Sequence, residues 1–451
     1  MGGSDGIATD TLLPLLADFL PRQRWFRGTV EPRGLNLVHS ETERTDWPAL
    51  VDLIVDADGE IYQVLVGLRP REDRPDFLRG HDGASLGEVQ TVSGLAHAYE
   101  ATLDPELGST LLDRLTDGSE RAERVRTVSA EQSNTSLVYD DRLILKVFRR
   151  LQPGVNPEIE VTEALAAIGF EHVAAPVASS QWGDYSLGVL QPYLAGGVEG
   201  WALALTSLRD LFGVQDTQPV PLISADGPPP AADPGQAGGD FSAEAERLGA
   251  MTAQLHVALA EAFGTEAGDC RSWAAEVAAQ VAAAPIPGNV RREALDGLIR
   301  RMSDVADSGP ATRVHGDYHL GQVMRTDAGW YILDFEGEPD RSLEARRRAT
   351  SPLRDVAGML RSFHYASLVA LSDRDEIGLV EAWEERNRHA FLDGYFGTTE
   401  IAGLLPADRS SAEAILRGFE LEKAAYELNY EEAHRPDWAR IPKAALRRLT
   451  S

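Results

Sequence analysis

At 451 residues the chain is too long for one compact core, so two or three substructures are expected. Its 71 acidic against 43 basic residues give a formal charge of −28, which excludes nucleic acid and anionic membrane as default partners. A single cysteine, Cys270, excludes an internal disulfide framework or a cysteine metal site. With no apolar run of spanning length and no basic, apolar leader in MGGSDGIATD, a cytoplasmic protein is expected.

In chain order, Asp10 to Leu20 has helical apolar spacing closed by Pro21. Arg22 to Gly28 interleaves arginines with Trp25 and Phe26, as a binding edge or an amphipathic connector would. Leu35–His39, Leu50–Val55 and Ile61–Gly67 read as strands, with Asp56 to Gly59 turning between the last two. These form an N-terminal antiparallel β cap, residues 1–90.

Residues 91–190 read as a second β-rich lobe. Val125–Val128, Ser136–Tyr139 and Leu143–Phe148 are strands, with a turn at Asp140-Asp141. The polar loop before the second strand ends in Ser133, Asn134, Thr135 and Ser136, whose N–H groups and hydroxyls suit phosphates, although it holds no glycine. Lys146 interrupts the apolar run Leu143–Phe148, and a lysine there is costly unless paired. It fits the role of gripping the α and β phosphates of a nucleotide, or that of a protective charge on an edge strand. The helix from Pro157 supplies Glu160 as the expected partner, with Glu163 second. Val173–Val177 and Ser186–Tyr193 read as strands, the latter ending at Pro192 and offering Gln191 to Tyr193 to an adenine ring.

Residues 191–451 read as a helical lobe. The proline-rich stretch Asp210 to Asp240 is expected to be an extended, mobile insertion. Helices are expected over Phe241–Phe263 after the cap Asp240, and over Trp273–Ala284, Arg292–Ala306, Ile377–Tyr395 and Ala412–Ala433. His256 is expected to pack, and Asp355 to sit buried in the first turn of a helix opened by Ser351-Pro352.

The stretch RVHGDYHLGQVMRTDAGWYILDFEGEP, Arg313 to Pro339, carries the chemistry. It reads as strand, loop, short strand, turn and strand, placing Asp317 and Asp334 at neighbouring strand ends. Phosphoryl transfer needs one carboxylate to take the proton of the attacking hydroxyl, and a second carboxylate with an amide to hold magnesium. Asp317 is the candidate base, and Gln322 and Asp334 are the magnesium ligands, with Glu336 as a further contact. On the last long helix, Glu420, Lys423, Tyr426 and Glu427 recur about one turn apart and suit sugar hydroxyls; His319 beside the base joins them as a candidate substrate contact.

Several stretches together resemble the maltokinase-like and glucosamine kinase group of actinobacterial sugar kinases. They are Pro21-Arg22-Gln23-Arg24-Trp25-Phe26, Glu131 to Ser136, Ile144 to Arg150, Asn156 to Glu160, HGDYHLGQV, DFEGEP, SPLRDVAGMLRSF and His434 to Trp438. The group lies within the aminoglycoside-phosphotransferase-like, eukaryotic-like kinase fold. The resemblance implies an α+β, bilobal protein-kinase-like fold with an N-terminal cap, and transfer of the γ-phosphate of ATP, with Mg2+, to a sugar. The chain departs from the maltokinase pattern at Tyr318, His364 and Glu422. Tyr318 flanks the base, and Glu420 and Glu427 would receive an ammonium, so glucosamine is expected ahead of maltose. An antibiotic or choline kinase, and an inactive binding protein on the same fold, are the rival readings.

Overall fold

The computed structural model describes residues 11–28, 34–73, 76–128, 134–217, 240–338, 341–371 and 377–450. Ser133 lies outside the described residues, as does most of the proline-rich stretch. The chain divides into two compact units, Met1–Glu163 with Ala174–Ala195 and Ala164–Val173 with Gly196–Ser451.

The first unit begins with α1 (Leu13–Phe19), β1 (Leu35–Arg44), β2 (Ala49–Ala57), β3 (Glu60–Pro70), β4 (Ser85–Thr91), β5 (Gly94–Glu100) and α2 (Pro105–Leu115). There follow β6 (Val125–Val128), β7 (Asn134–Tyr139), β8 (Leu143–Phe148), β9 (Arg150–Leu151), α3 (Pro157–Ala167), β10 (Ala178–Trp182) and β11 (Tyr185–Pro192). One sheet runs β1-β2-β3-β5-β4, with β9 added against β3, and a second runs β10-β11-β8-β7-β6. The β2–β3 hairpin turns on Asp58 and Gly59, both at positive φ (56° and 88°), the backbone a two-residue hairpin favours. β2 is buried on both faces because Val51, Leu53 and Val55 pack with Leu16 and Phe19 of α1, while Leu50 and Ile54 turn to other clusters. Each such side chain withdrawn from water contributes about 1.5–3 kcal/mol.

Several expectations need correction. The boundary at residue 90 falls inside β4, which pairs with β5, so the first sheet continues to Glu100. β4, β5 and α2 were not expected from the sequence, although α2 carries four leucines in its 11 residues. Asp104 caps α2 by accepting from the Glu106 N–H at 3.0 Å. Val173 to Val177 is not a strand: only Val173 makes an isolated bridge, and β10 begins at Ala178. Trp25 is a core residue, 8% exposed, with the Arg149 guanidinium 5.2 Å over its ring, while Arg22, Arg24 and Arg27 are exposed, as in an amphipathic connector.

The second unit contains β12 (Val198–Glu199), α4 (Gly200–Thr217), α5 (Ser242–Phe263), β13 (Thr265–Ala267), α6 (Cys270–Ala283), α7 (Arg292–Ser303) and β14 (Pro310–Thr312). It continues with β15 (Val323–Thr326), β16 (Gly329–Ile332), α8 (Leu343–Arg347), α9 (Leu353–Leu371), α10 (Ile377–Gly397), α11 (Arg409–His434) and α12 (Arg440–Leu449). Asp210 to Thr217, expected to open an extended insertion, are the last turns of α4. The N-cap of α5 is Phe241 rather than the expected Asp240, which lies one residue earlier and accepts from the Ser242 N–H at 3.0 Å. α5 and α10 touch backbone to backbone: a Cβ on Gly249 would lie 1.9 Å from the Phe391 carbonyl oxygen, and one on Gly394 would lie 2.0 Å from that of Glu246. The expected α+β class holds, with sheets in the first unit and mainly helices in the second.

Candidate active site

The Arg313–Pro339 stretch is less strand-like than expected. β14 ends at Thr312 and pairs with β13, so Asp317 lies in a loop and not at the end of a strand neighbouring β16. Asp355, at the start of α9, holds that loop: it accepts from the backbone N–H of His315 at 2.7 Å and of Gly316 at 3.0 Å. Its Oδ2 also meets His256 Nε2 at 3.2 Å, and His256 Nδ1 meets the Tyr395 hydroxyl at 2.9 Å. Burial pushes the Asp355 carboxyl up, but His256 and the donated bonds outweigh it and hold it below the usual range. His315 ties the two halves of the motif. Its Nδ1 accepts from the Asp317 N–H at 3.3 Å, so Nε2 carries the proton donated to the Leu333 carbonyl at 2.8 Å.

Asp317 keeps a partly exposed side chain, 24%, and receives Lys423 Nζ of α11 on Oδ1 at 3.0 Å. Burial raises its pKa, yet Lys423 and His319 hold it at about 2, so it is ionised at neutral pH. Lys423 also meets Glu338 Oε1 at 2.9 Å, and Arg341 meets the other oxygen of Glu338 at 2.5 Å. Glu338 and Arg341 were not singled out from the sequence, because nothing local marks Glu338 as the second partner of a lysine 85 residues away.

Gln322 and Asp334 are brought together. Leu333 N–H donates to the Gln322 carbonyl at 2.9 Å, and Gln322 Nε2 lies 3.3 Å from Asp334 Oδ2. Asp334 adopts φ 61°, a left-handed conformation that a non-glycine residue holds only where its surroundings impose it. A carboxylate and a neighbouring amide side chain carry oxygen donors of the kind a hard divalent cation takes, so these residue types fit magnesium once the Gln322 amide presents its oxygen in place of Nε2. Among the described residues no three His, Cys, Asp or Glu side chains group as a metal site, and Glu336 is seen to accept from Arg346 through its carbonyl at 3.1 Å.

Beside the loop is a pocket whose wall includes Gly316, Glu338, Arg341, Glu422, Lys423 and Tyr426. Two of the expected acceptor residues are elsewhere. Glu420 binds Arg388 at 2.8 Å and Glu427 binds Arg361 at 2.6 Å, so neither offers a free carboxylate to an ammonium. Tyr318 contributes to the lining of this pocket but is 2% exposed, with its hydroxyl 2.8 Å from that of Thr252. His319 Nδ1 accepts from Gly321 N–H at 3.0 Å and its Nε2 lies 3.9 Å from Asp317.

In the first unit, Lys146 lies on β8, a central strand, which removes the edge-strand reading. Its Nζ lies 3.6 Å from Glu158, which is 3% exposed. β7 starts at Asn134, so Asn134, Thr135 and Ser136 are strand residues rather than loop. Ser136 is 0% exposed, which removes it from phosphate contact, and Thr135 Oγ1 accepts from Arg149 Nε at 2.9 Å. Gln191 is buried and donates to the Ala174 carbonyl at 3.1 Å. The Tyr193 N–H is spent on the Arg142 carbonyl at 2.8 Å and is not free for an adenine.

Comparison with known proteins decides the family. The Phosphotransferase enzyme family matches residues 124–363, more than half of the chain and the whole loop from Asp317 to Asp334. The chain belongs to that family. The Maltokinase N-terminal cap domain matches residues 19–104, the segment that ends after β5. A curated glucosamine kinase of Mycolicibacterium smegmatis is 28% identical over 373 residues, covering 78% of this chain and 87% of the relative. A glucosamine kinase of Streptacidiphilus jiangxiensis is 28% identical over 346 residues, 71% and 72% of the two chains. A solved structure of a glucosamine kinase with glucosamine, ADP and inorganic phosphate shares the fold, with a TM-score of 0.64 and 20% identity over 97% of this chain and 99% of that one. The protein is thus a phosphotransferase of kinase-like fold, and no helix among the described residues is long and apolar enough to cross a membrane.

Proposed function

We propose that this phosphotransferase is a cytoplasmic sugar kinase that transfers the γ-phosphate of ATP to a hydroxyl of glucosamine, giving glucosamine 6-phosphate. The observation that carries the reading is the Asp317 carboxylate, kept ionised and oriented by Lys423 at 3.0 Å beside a pocket of polar side chains. As the acceptor oxygen bonds to phosphorus and the bond to ADP breaks, Asp317 takes the hydroxyl proton. Gln322 and Asp334 would hold magnesium, with Glu336 a further candidate; when bound, the ion neutralises charge on the phosphate oxygens. Lys146, steadied by Glu158, is assigned the α and β phosphates.

Glucosamine is preferred because both curated relatives named above are glucosamine kinases. Glu338 and Glu422 are carboxylates on the pocket wall, Glu338 paired with Lys423 and Arg341 and Glu422 with Arg354. The cap match favours a second reading, maltose phosphorylated at its anomeric hydroxyl. An ATP-turnover assay with glucosamine, maltose and an aminoglycoside, followed by NMR of the product, separates them. Turnover with glucosamine and phosphate on its 6-hydroxyl is expected. An anomeric phosphate on maltose would replace this reading, and no turnover with any acceptor would favour a binding protein on the same fold.

A further inference from the structure

Away from all of these residues, the first unit holds a cavity of about 300 Å³, open to solvent, lined from β1, β2 and β3 of one sheet, α2, and β8, β10 and β11 of the other. The volume is at the lower end of that of small-molecule sites. On the cavity face of β2 and β3, otherwise occupied by Ile54 and Leu65, stand two polar residues, Asp52 and Gln63, 9% and 4% exposed. They bond to each other, Gln63 Nε2 donating to Asp52 Oδ2 at 2.9 Å. The other oxygens, Asp52 Oδ1 and Gln63 Oε1, are buried and have no hydrogen-bond partner.

Two adjacent orphan acceptors are costly, each by about 1–3 kcal/mol, and a donor-bearing ligand would offset that cost. The remaining charges on the lining are Glu41, Glu43 and Arg114, the arginine ion-paired to both glutamates. Three acids against one arginine leave the cavity negative, so the ligand it suits is cationic. Leu111, Leu145 and Val147 supply a surface for hydrocarbon.

We propose that this cavity is a binding site for a small organic cation, a primary ammonium on a compact hydrocarbon body, whose N–H groups donate to Asp52 and Gln63. Burial pushes the Asp52 carboxyl up to about 6, so it is still largely ionised at neutral pH and can face an ammonium. The site is also coupled to β8. Leu145 and Val147 line the cavity, and strand alternation puts Lys146 between them on the opposite face, toward Glu158. Occupancy therefore acts on the strand that carries Lys146. This coupling rests on the assignment of Lys146 to the nucleotide; the binding site itself does not.

The test is calorimetric titration of the full-length protein with cyclohexylmethylamine and its neutral counterpart cyclohexylmethanol, in the wild type and in Asp52→Asn and Ser180→Trp. Two variants, each checked by circular dichroism, are used so that misfolding of one leaves the other. Saturable one-to-one binding of the amine is expected, about tenfold weaker for the alcohol and for Asp52→Asn, and lost in Ser180→Trp, which fills the cavity. No saturable binding of the amine, or equal binding in the wild type and both folded variants, would overturn the site. The apparent KM for ATP is then measured with the amine present: a change of about twofold or more in the wild type and none in Ser180→Trp supports the coupling, and an unchanged KM at saturation refutes it. Because binding is read without turnover, failure of the site and failure of the kinase reading are separable.

Discussion

Lys423, in the middle of α11, places its Nζ 3.0 Å from Asp317, 106 residues earlier, and 2.9 Å from Glu338. One ammonium thus fixes the position and the charge of the carboxylate assigned as base. Against burial, which lowers it, the two acids hold the Lys423 pKa well above its ordinary value, so the pair stays charged across the working range.

Replacing the base while keeping its shape isolates the proton transfer. Asp317→Asn should lower kcat by about 10²–10⁴-fold, the usual contribution of a positioned base, with little change in the KM for ATP. Steady-state kinetics with saturating acceptor check this, and unchanged turnover would remove Asp317 from the mechanism.

The pH profile tests the Lys423 contact. Asp317 must be ionised to accept a proton, so activity falls as pH drops through its pKa, now about 2. In Lys423→Met the burial that raises this pKa is no longer opposed by Lys423, so the acidic limb of kcat/KM should move to higher pH. A limb that stays in place would show that Lys423 acts on the acceptor alone.

The α5–α10 crossing has no space for a methyl group, since a Cβ on Gly249 would sit 1.9 Å from the Phe391 carbonyl oxygen, a backbone atom that cannot swing aside. Gly249→Ala should force the helices apart and cost about 1–3 kcal/mol. A lowered thermal midpoint measures it. Tyr395 of α10 contacts His256, which supports Asp355, so kcat should fall as well.

Asp52 offers a stability switch that can be signed. Its folded pKa is raised from 3.8 to about 6, so the native state binds the proton more tightly than the unfolded chain does. The stabilisation is present below the unfolded value and is lost as pH rises through the folded one. Wild-type protein should therefore lose up to about 3 kcal/mol relative to Asp52→Asn between about pH 4 and about pH 8. Denaturant melts of both proteins at the two pH values measure the difference, and parallel behaviour would show that Asp52 titrates normally.

The residues legible in advance are those whose neighbours in sequence are also their neighbours in space. Asp317, Gln322 and Asp334 lie within one short stretch, so local turns and the β15–β16 hairpin suffice to bring Gln322 to Asp334. Hairpin turns at Asp58-Gly59 and Asp140-Asp141 were readable for the same reason, because positive φ is a local demand that these residues meet.

What the sequence by itself determined is the motif, the helical and hairpin segments around it, and the phosphotransferase chemistry they imply. Tertiary structure alone decided the partners: Glu158 beside Lys146, Arg388 and Arg361 for Glu420 and Glu427, and Glu338 for Lys423. The physical reason is that periodicity tells which residues share a face of a helix, whereas the charge that each face meets depends on the elements packed against it. On α11 several acids are spaced alike, and only packing against α9 and α10 commits Glu427 and Glu420 to arginines while Lys423 reaches the base.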